Sequence, residues 1–283
     1  MTTDAGGRRV QTKRRWPLIG SSGLIVELVR REVVGRYRGS TLGILWSFLP
    51  PLFMLALYTF VFGTVLKARW PKPALTEPAA IESSAAEYAL ILFTGLIIFQ
   101  IFSDVVSRAP GMVLNNVNYV KKIVFPLEIL VPVGLGSALF HAILSLFVLM
   151  VGLVLVRGSI PPTALMLPVI LAPFCLLIVG IAWFLASFGV YYRDIGQFLG
   201  TAINALMFLS PIFFPLSALP AWIRPWVALN PISWPVEAAR EVLIWGRMPD
   251  LLGFALYTTV AAMMAVLGYV WFQKTRKGFA DVL

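Results

Sequence analysis

Six stretches of this chain carry few or no charges, and each is long enough to cross a bilayer. The hydrocarbon core is about 30 Å thick and a helix rises about 1.5 Å per residue, so about twenty apolar residues suffice. The runs lie at Leu42 to Leu66, Tyr88 to Ser107, Leu127 to Val156, Ala164 to Val190, Ile195 to Phe214 and Leu251 to Phe272. Only 13% of the residues are charged against 59% hydrophobic, whereas soluble domains carry about 25% charge. A water-soluble fold could not hide that much apolar surface. The expected fold class is an all-α polytopic membrane protein with six transmembrane helices, residues 42–272. The third run is over-long and should tilt or begin in the interface.

Charge placement sets the expected orientation. With the N-terminus inside, sixteen of the 23 Lys and Arg residues fall in inner segments and seven in outer ones. That bias predicts both termini in the cytoplasm and a bacterial inner-membrane location. The net charge of +10 therefore gathers at one membrane face and does not point to nucleic acid. Residues 1–23 read as a basic cytoplasmic tail; no apolar signal region follows them, so no cleavable signal peptide is expected. Residues 273–283 read as a second cytoplasmic tail.

Three segments outside the runs have their own character. Residues 24–41 place Leu24, Ile25, Leu28, Val29 and Val33 at helical spacing, with Glu27, Arg30, Arg31 and Arg38 among the polar positions. This predicts an amphipathic helix on the cytoplasmic leaflet, serving as a basic anchor or as part of a ligand site. Residues 108–126 (RAPGMVLNNVNYVKKIVFP) are short, cytoplasmic and closed by a proline. A helix from Gly111 to Lys122 parallel to the membrane would suit docking on a soluble partner; an ordinary connecting loop is the alternative. Residues 215–250 hold two apolar pieces, Ala221 to Leu229 and Ile232 to Trp245, each too short to cross and bounded or interrupted by Pro220, Pro225, Pro231 and Pro235. Two short re-entrant or interfacial helices fit, with Trp222, Trp226, Trp234 and Trp245 at the outer interface.

The chain has no GxxxxGK[ST] phosphate loop, no HExxH and no GxSxG turn, so neither nucleotide hydrolysis nor hydrolytic chemistry is expected within it. The single cysteine, Cys175, excludes an intramolecular disulfide, and the single histidine, His141, is read as a packing residue. Apart from His141 the centres of the runs lack ionisable groups, which disfavours ion-coupled transport. What the runs do carry is uncharged. Gln197, Thr201, Asn204, Phe208 and Pro211 share one face of the fifth, and Ser47, Pro51, Met54, Tyr58 and Phe62 form a similar stripe on the first. Such stripes could line a path for a hydroxyl-rich solute, with aromatic faces meeting sugar rings. They could equally serve helix-to-helix packing, where small and polar residues are also enriched.

The phrase RYRGSTLGILWSFLPPL (Arg36 to Leu52), preceded by Arg31-Glu32, resembles the opening of permease subunits of type II ABC exporters for surface polysaccharides. The stretch from Ser210 to Pro249 is similar to the segment between the fifth and sixth spans of that family, O-antigen and teichoic-acid branch. The resemblance implies a homodimer bound to two copies of a separate nucleotide-binding ATPase. ATP and Mg would be bound by that partner, with no cofactor in this chain. It implies that Gly111, Asn115, Asn116, Asn118, Tyr119, Lys121 and Lys122 form the coupling element, and that the first and fifth spans line the channel through Ser47, Met54, Tyr58, Phe62, Gln197, Thr201, Asn204 and Phe208. The implied cargo is an undecaprenyl-diphosphate-linked polysaccharide, lipopolysaccharide O-antigen first among the candidates. Arg30, Arg31, Arg36 and Arg38 would meet its diphosphate at the cytoplasmic entrance. The competing readings are a drug or small-lipid exporter of the same architecture and a membrane-embedded transferase acting on lipid-linked sugars.

Overall fold

The computed structural model describes residues 22–67, 70, 84–121 and 125–283, and every regular element among them is helical. The predicted tail therefore lies outside the described residues as far as position 21. The described residues begin with α1 (Ser22–Tyr37). The first run follows as a rod of a 3-10 turn (Gly43–Ser47), α2 (Leu49–Tyr58) and a π-helical end (Thr59–Val65). Next come α3 (Ala85–Leu114), α4 (Val117–Lys121), α5 (Leu130–Arg157), α6 (Leu167–Tyr191) and α7 (Ile195–Leu209). After these lie α8 (Arg224–Ala228), α9 (Ser233–Arg240) with a π turn at Glu241–Trp245, α10 (Leu251–Thr275) and α11 (Phe279–Val282).

The spine is α3, packed against α5, α6, α7 and α9. It opens on a reciprocal cap: the Ser84 hydroxyl accepts from the Glu87 N–H at 3.1 Å, and the Glu87 carboxylate accepts from the Ser84 N–H at 3.1 Å. Two free N–H groups of the first turn are thereby satisfied. Pro110 sits inside α3 without ending it. Gly189 of α6 lies so close there that a Cβ on it would stand 2.5 Å from the Pro110 carbonyl oxygen. The second such approach joins α6 to α10, where a Cβ on Gly180 would meet the Met264 carbonyl oxygen at 2.5 Å and one on Gly268 would strike the Gly180 carbonyl. Glycine at these crossings lets backbones touch, which compensates for the weak hydrophobic drive between helices in lipid.

Two expectations change. Five helical stretches are long and apolar enough to cross a membrane: Leu45–Val65, Ala85–Leu114, Leu127–Arg157, Pro162–Tyr191 and Leu251–Val282. The fifth predicted run does not reach Phe214 as helix, because α7 stops at Leu209 and covers only about 22 Å at 1.5 Å per residue. Pro211 is the cause: the residue before a proline is driven from the helical region, and Ser210 adopts φ −94°, ψ 151°. The second change is at the cytoplasmic linker. Gly111 belongs to α3, which runs past Ser107 to Leu114, so the helix expected from Gly111 to Lys122 is reduced to α4. Asn116 marks the break by donating its side-chain amide to the Met112 carbonyl at 2.9 Å, filling a carbonyl of the last turn.

Candidate functional site

Two layers of charge cross the helix bundle. On one, Glu87 at the start of α3 pairs with Arg157 at the end of α5 at 3.2 Å. Arg157 also donates to the Ile244 carbonyl and lies 5.7 Å from the Trp245 ring centroid. On the other, Arg108 of α3 reaches Glu32 of α1 at 2.5 Å and Asp104 of its own helix at 2.8 Å. Arg36 of α1 stands farther from the same two carboxylates, 3.5 Å from Glu32 and 3.8 Å from Asp104. Seventeen residues of α3 separate Glu87 from Asp104, a rise of about 25 Å, close to the thickness of a hydrocarbon core. Beyond Asp104, α3 continues for ten residues to Leu114.

The far end of that continuation carries the predicted coupling residues. Gly111 is the last-turn glycine of α3, Asn115 caps that helix, Asn118 is exposed on α4, and Tyr119 stacks on Phe125 with centroids 4.4 Å apart. The Lys121 side chain and all of Lys122 lie outside the described residues. The C-terminal α11 packs beside α4. Nearby, Arg276 pairs with the buried Glu128 at 2.7 Å, whose backbone carbonyl accepts from the Trp183 indole at 2.9 Å.

The two predicted stripes are placed differently. On α7, Ile203 is buried and Ile195, Leu199, Leu206 and Met207 pack partly buried against the core, while Gln197, Thr201, Asn204 and Phe208 are all exposed, together with Phe198 and Leu209. The first-span stripe instead turns inward. Ser47 is buried, and Ser47, Pro51, Met54 and Tyr58 line a half-open cavity of about 380 Å³ whose other walls come from α3 and α5. Arg36, Tyr37, Gln100, Asp104 and His141 close its inner end. The stripes meet only at the outer end, through Phe213, which stacks on Phe208 at 5.7 Å and on Phe62 at 6.2 Å. Phe62 also stacks on Tyr88 at 5.8 Å, and Tyr88 donates its hydroxyl to the Phe213 carbonyl at 3.0 Å.

Of the predicted entrance arginines, Arg36 alone joins the inner charge cluster; Arg31 and Arg38 are exposed, and Arg30 is exposed with Glu27 at 3.9 Å. His141 lies 3.3 Å from Arg36 Nη1 and 3.4 Å from the Tyr37 hydroxyl, a structural contact between α5 and α1.

Sequence reasoning missed one residue altogether. Arg240, expected as an outer surface charge, is 1% exposed. It donates to the carbonyls of Ile91 (3.2 Å), Pro211 (2.5 Å) and Ile212 (2.7 Å), pairs with Glu237 at 3.0 Å, and lies 4.5 Å from the Trp70 ring centroid. The backbone that Pro211 frees from α7 is thus held by a cation, as non-helical backbone at membrane depth requires. Asn230 adds a bond to the Ser210 hydroxyl at 2.9 Å. Of the four tryptophans assigned to the outer interface, Trp222 and Trp226 are exposed, whereas Trp234 stacks on Tyr257 at 4.8 Å and Trp245 packs against the core.

Five apolar helical stretches of membrane length, packed around the buried spine α3, define a multi-pass helical membrane protein. Residues 23–244 match the ABC-2 type transporter family, and the chain belongs to it. It is 25% identical over 262 residues to the O-antigen export system permease protein RfbA of Myxococcus xanthus, covering 92% of this chain and 95% of that one. RfbA of Klebsiella pneumoniae is 23% identical over 265 residues, again 92% and 95%. The polysialic acid transport protein KpsM of Escherichia coli is 25% identical over 250 residues, 86% of this chain and 90% of that one.

Proposed function

We propose that two copies of this chain form the membrane passage of an ATP-driven exporter of a lipid-linked polysaccharide, with O-antigen as the first candidate cargo. The observation that carries the reading is the uncovered α7 face of Gln197, Thr201, Asn204 and Phe208, in a chain similar over nine-tenths of its length to permeases named for O-antigen export. None of the three relatives named above is called a drug or lipid exporter. Hydroxyl and amide groups can exchange hydrogen bonds with a moving glycan, and Phe208, Phe213 and Phe62 offer ring faces for its C–H surfaces. In the dimer, this face would meet its counterpart from the second copy.

In this reading the fold makes six crossings in the inner membrane with both termini cytoplasmic. The fifth would be α7 completed by the Ser210–Phe213 turn, which reaches the level of Tyr88 beside the outer charge layer. The α8–α9 pair would re-enter from outside, since Val236 and Arg240 reach Gly95, eight residues along α3 from Glu87. Two copies of a separate ATPase would bind ATP and Mg and dock at α4 and the end of α3. Because α3 is one continuous helix from that dock to the clamp on α1, closure of the ATPase pair would move α1 and open the entrance, where Arg30, Arg31, Arg36 and Arg38 await the undecaprenyl diphosphate.

The experiment is affinity purification of the chain co-expressed with a phosphate-loop ATPase encoded beside it, followed by ATPase assay. The expected result is a two-plus-two complex whose hydrolysis responds to lipid-linked glycan. A chain that supports glycan export with no ATPase bound would overturn the reading.

A further inference from the structure

The cavity behind the first span has two chemically different ends. Toward the inner charge layer it is rich in donors: the Arg36 guanidinium, the Tyr37 hydroxyl, the Gln100 amide and the His141 ring. Its one carboxylate, Asp104, is already held by Arg108 at 2.8 Å. Arg36 approaches the same Asp104 and Glu32 oxygens that Arg108 occupies, but at 3.8 and 3.5 Å. Two arginines face two carboxylates there, and Arg36 makes the longer ion pairs, with Nη1 3.3 Å from the His141 ring, so it is the cation that an incoming oxyanion could draw away at least cost.

Away from that end, the walls are Met54, Phe93, Leu96 and Ile97, with polar groups from Tyr58 and from Ser145, whose hydroxyl is already donated to the His141 carbonyl at 3.0 Å. From Asp104 to Phe93 is eleven residues of α3, so the slot extends about 16 Å from the charge layer toward mid-membrane. Its rim carries exposed Pro50, Met54 and Gln100, which leaves one side open to lateral entry. The volume of about 380 Å³ lies at the small end of ligand pockets, about 300–1,000 Å³. A glycan would find few hydrogen-bond partners along that apolar part.

We propose that this slot holds one apolar chain of a phosphate-headed lipid, with the phosphate on Arg36 and the chain between the first span and α3. The lipid is the carrier of the cargo or a resident phospholipid; only the first of these sources rests on the export reading.

The test is native mass spectrometry of the purified dimer in detergent with undecaprenyl phosphate, phosphatidylglycerol or headless diacylglycerol. Both phosphate lipids are expected to be retained over diacylglycerol. Arg36→Gln should lower their retention about tenfold and Arg36→Lys should restore most of it. Met54→Trp, which fills the slot, should exclude them, while Met263→Ala on the exposed side of α10 should leave retention unchanged. Preference for undecaprenyl phosphate identifies the carrier, and equal retention identifies a resident lipid; both support the site. Retention unaltered in Arg36→Gln and Met54→Trp, or equal retention of diacylglycerol, overturns it. These outcomes do not depend on whether the chain exports glycan, which is read separately in cells.

Discussion

Arg108 on α3 donates to the Glu32 carboxylate on α1 at 2.5 Å, joining residues 76 positions apart in sequence. The bond sits six residues before the end of α3, the helix that leads into the proposed coupling segment. It is the point where motion of α3 would be passed to the amphipathic helix.

Breaking that clamp should uncouple more than it destabilises. Both side chains are about one-third exposed, so Arg108→Gln or Glu32→Gln should cost only about 1 kcal/mol. Export should fall severalfold while ATP hydrolysis by the assembled complex persists, and the charge swap Glu32→Arg with Arg108→Glu should recover much of the export. The check is the ratio of glycan exported to ATP hydrolysed. A ratio unchanged in both single variants would remove α1 from the coupling path.

Arg240 should behave in the opposite way. Arg240→Met leaves the carbonyls of Ile91, Pro211 and Ile212 without their donor and Glu237 without its pair. Removing one partner of a buried pair costs about 3–5 kcal/mol, and Arg240→Lys should recover only part because an ammonium cannot fork to three carbonyls. Thermal unfolding in detergent should show a large loss of midpoint for Met and an intermediate one for Lys.

These two residues also show what was legible in the sequence. Apolar runs and their lengths gave the long helices, because crossing a bilayer fixes a length and a hydropathy. Helical spacing gave the polar α7 face. It could not say which way the first-span stripe points, since spacing defines a face but not its neighbour, and Ser47 and Tyr58 turned toward α3 and α5. Arg240 was hidden because its segment, Ile232 to Trp245, was read as a short re-entrant or interfacial helix at the outer face, where a basic residue needs no buried partner. Its partners lie 28 to 149 positions away, and only the nearby Glu237, three residues before it, hinted at pairing. The break of α7 had a local signal in Pro211, and the persistence of α3 through Pro110 depended on packing against Gly189.

Glycine substitutions should separate folding from passage. Gly180→Ala and Gly268→Ala force backbone against backbone in the α6–α10 crossing and should destabilise the fold by about 1–3 kcal/mol. Gly196 and Gly200 on α7 have open space where a Cβ would stand, so Gly200→Leu should leave the protomer's melting within about 0.5 kcal/mol of the parent. Its export should nevertheless drop if that face borders the passage, as proposed. Equal export in Gly200→Leu and the parent chain would argue against α7 as a lining helix.

Topology can be read by labelling single cysteines after replacing Cys175 with Ser. A cysteine at Trp222, which is 74% exposed, should react with a membrane-impermeant maleimide in cells with a permeabilised outer membrane. One at Asn118 on α4 should react only after the inner membrane is opened. Labelling of both from the same side contradicts six crossings.

The most direct measurement is uptake of radiolabelled lipid-linked glycan into inverted inner-membrane vesicles containing the chain and its ATPase. ATP-dependent uptake is expected, falling at least tenfold when Asn204→Trp obstructs the α7 face and disappearing without the chain. Uptake that proceeds equally without this chain, or without ATP, would contradict the account.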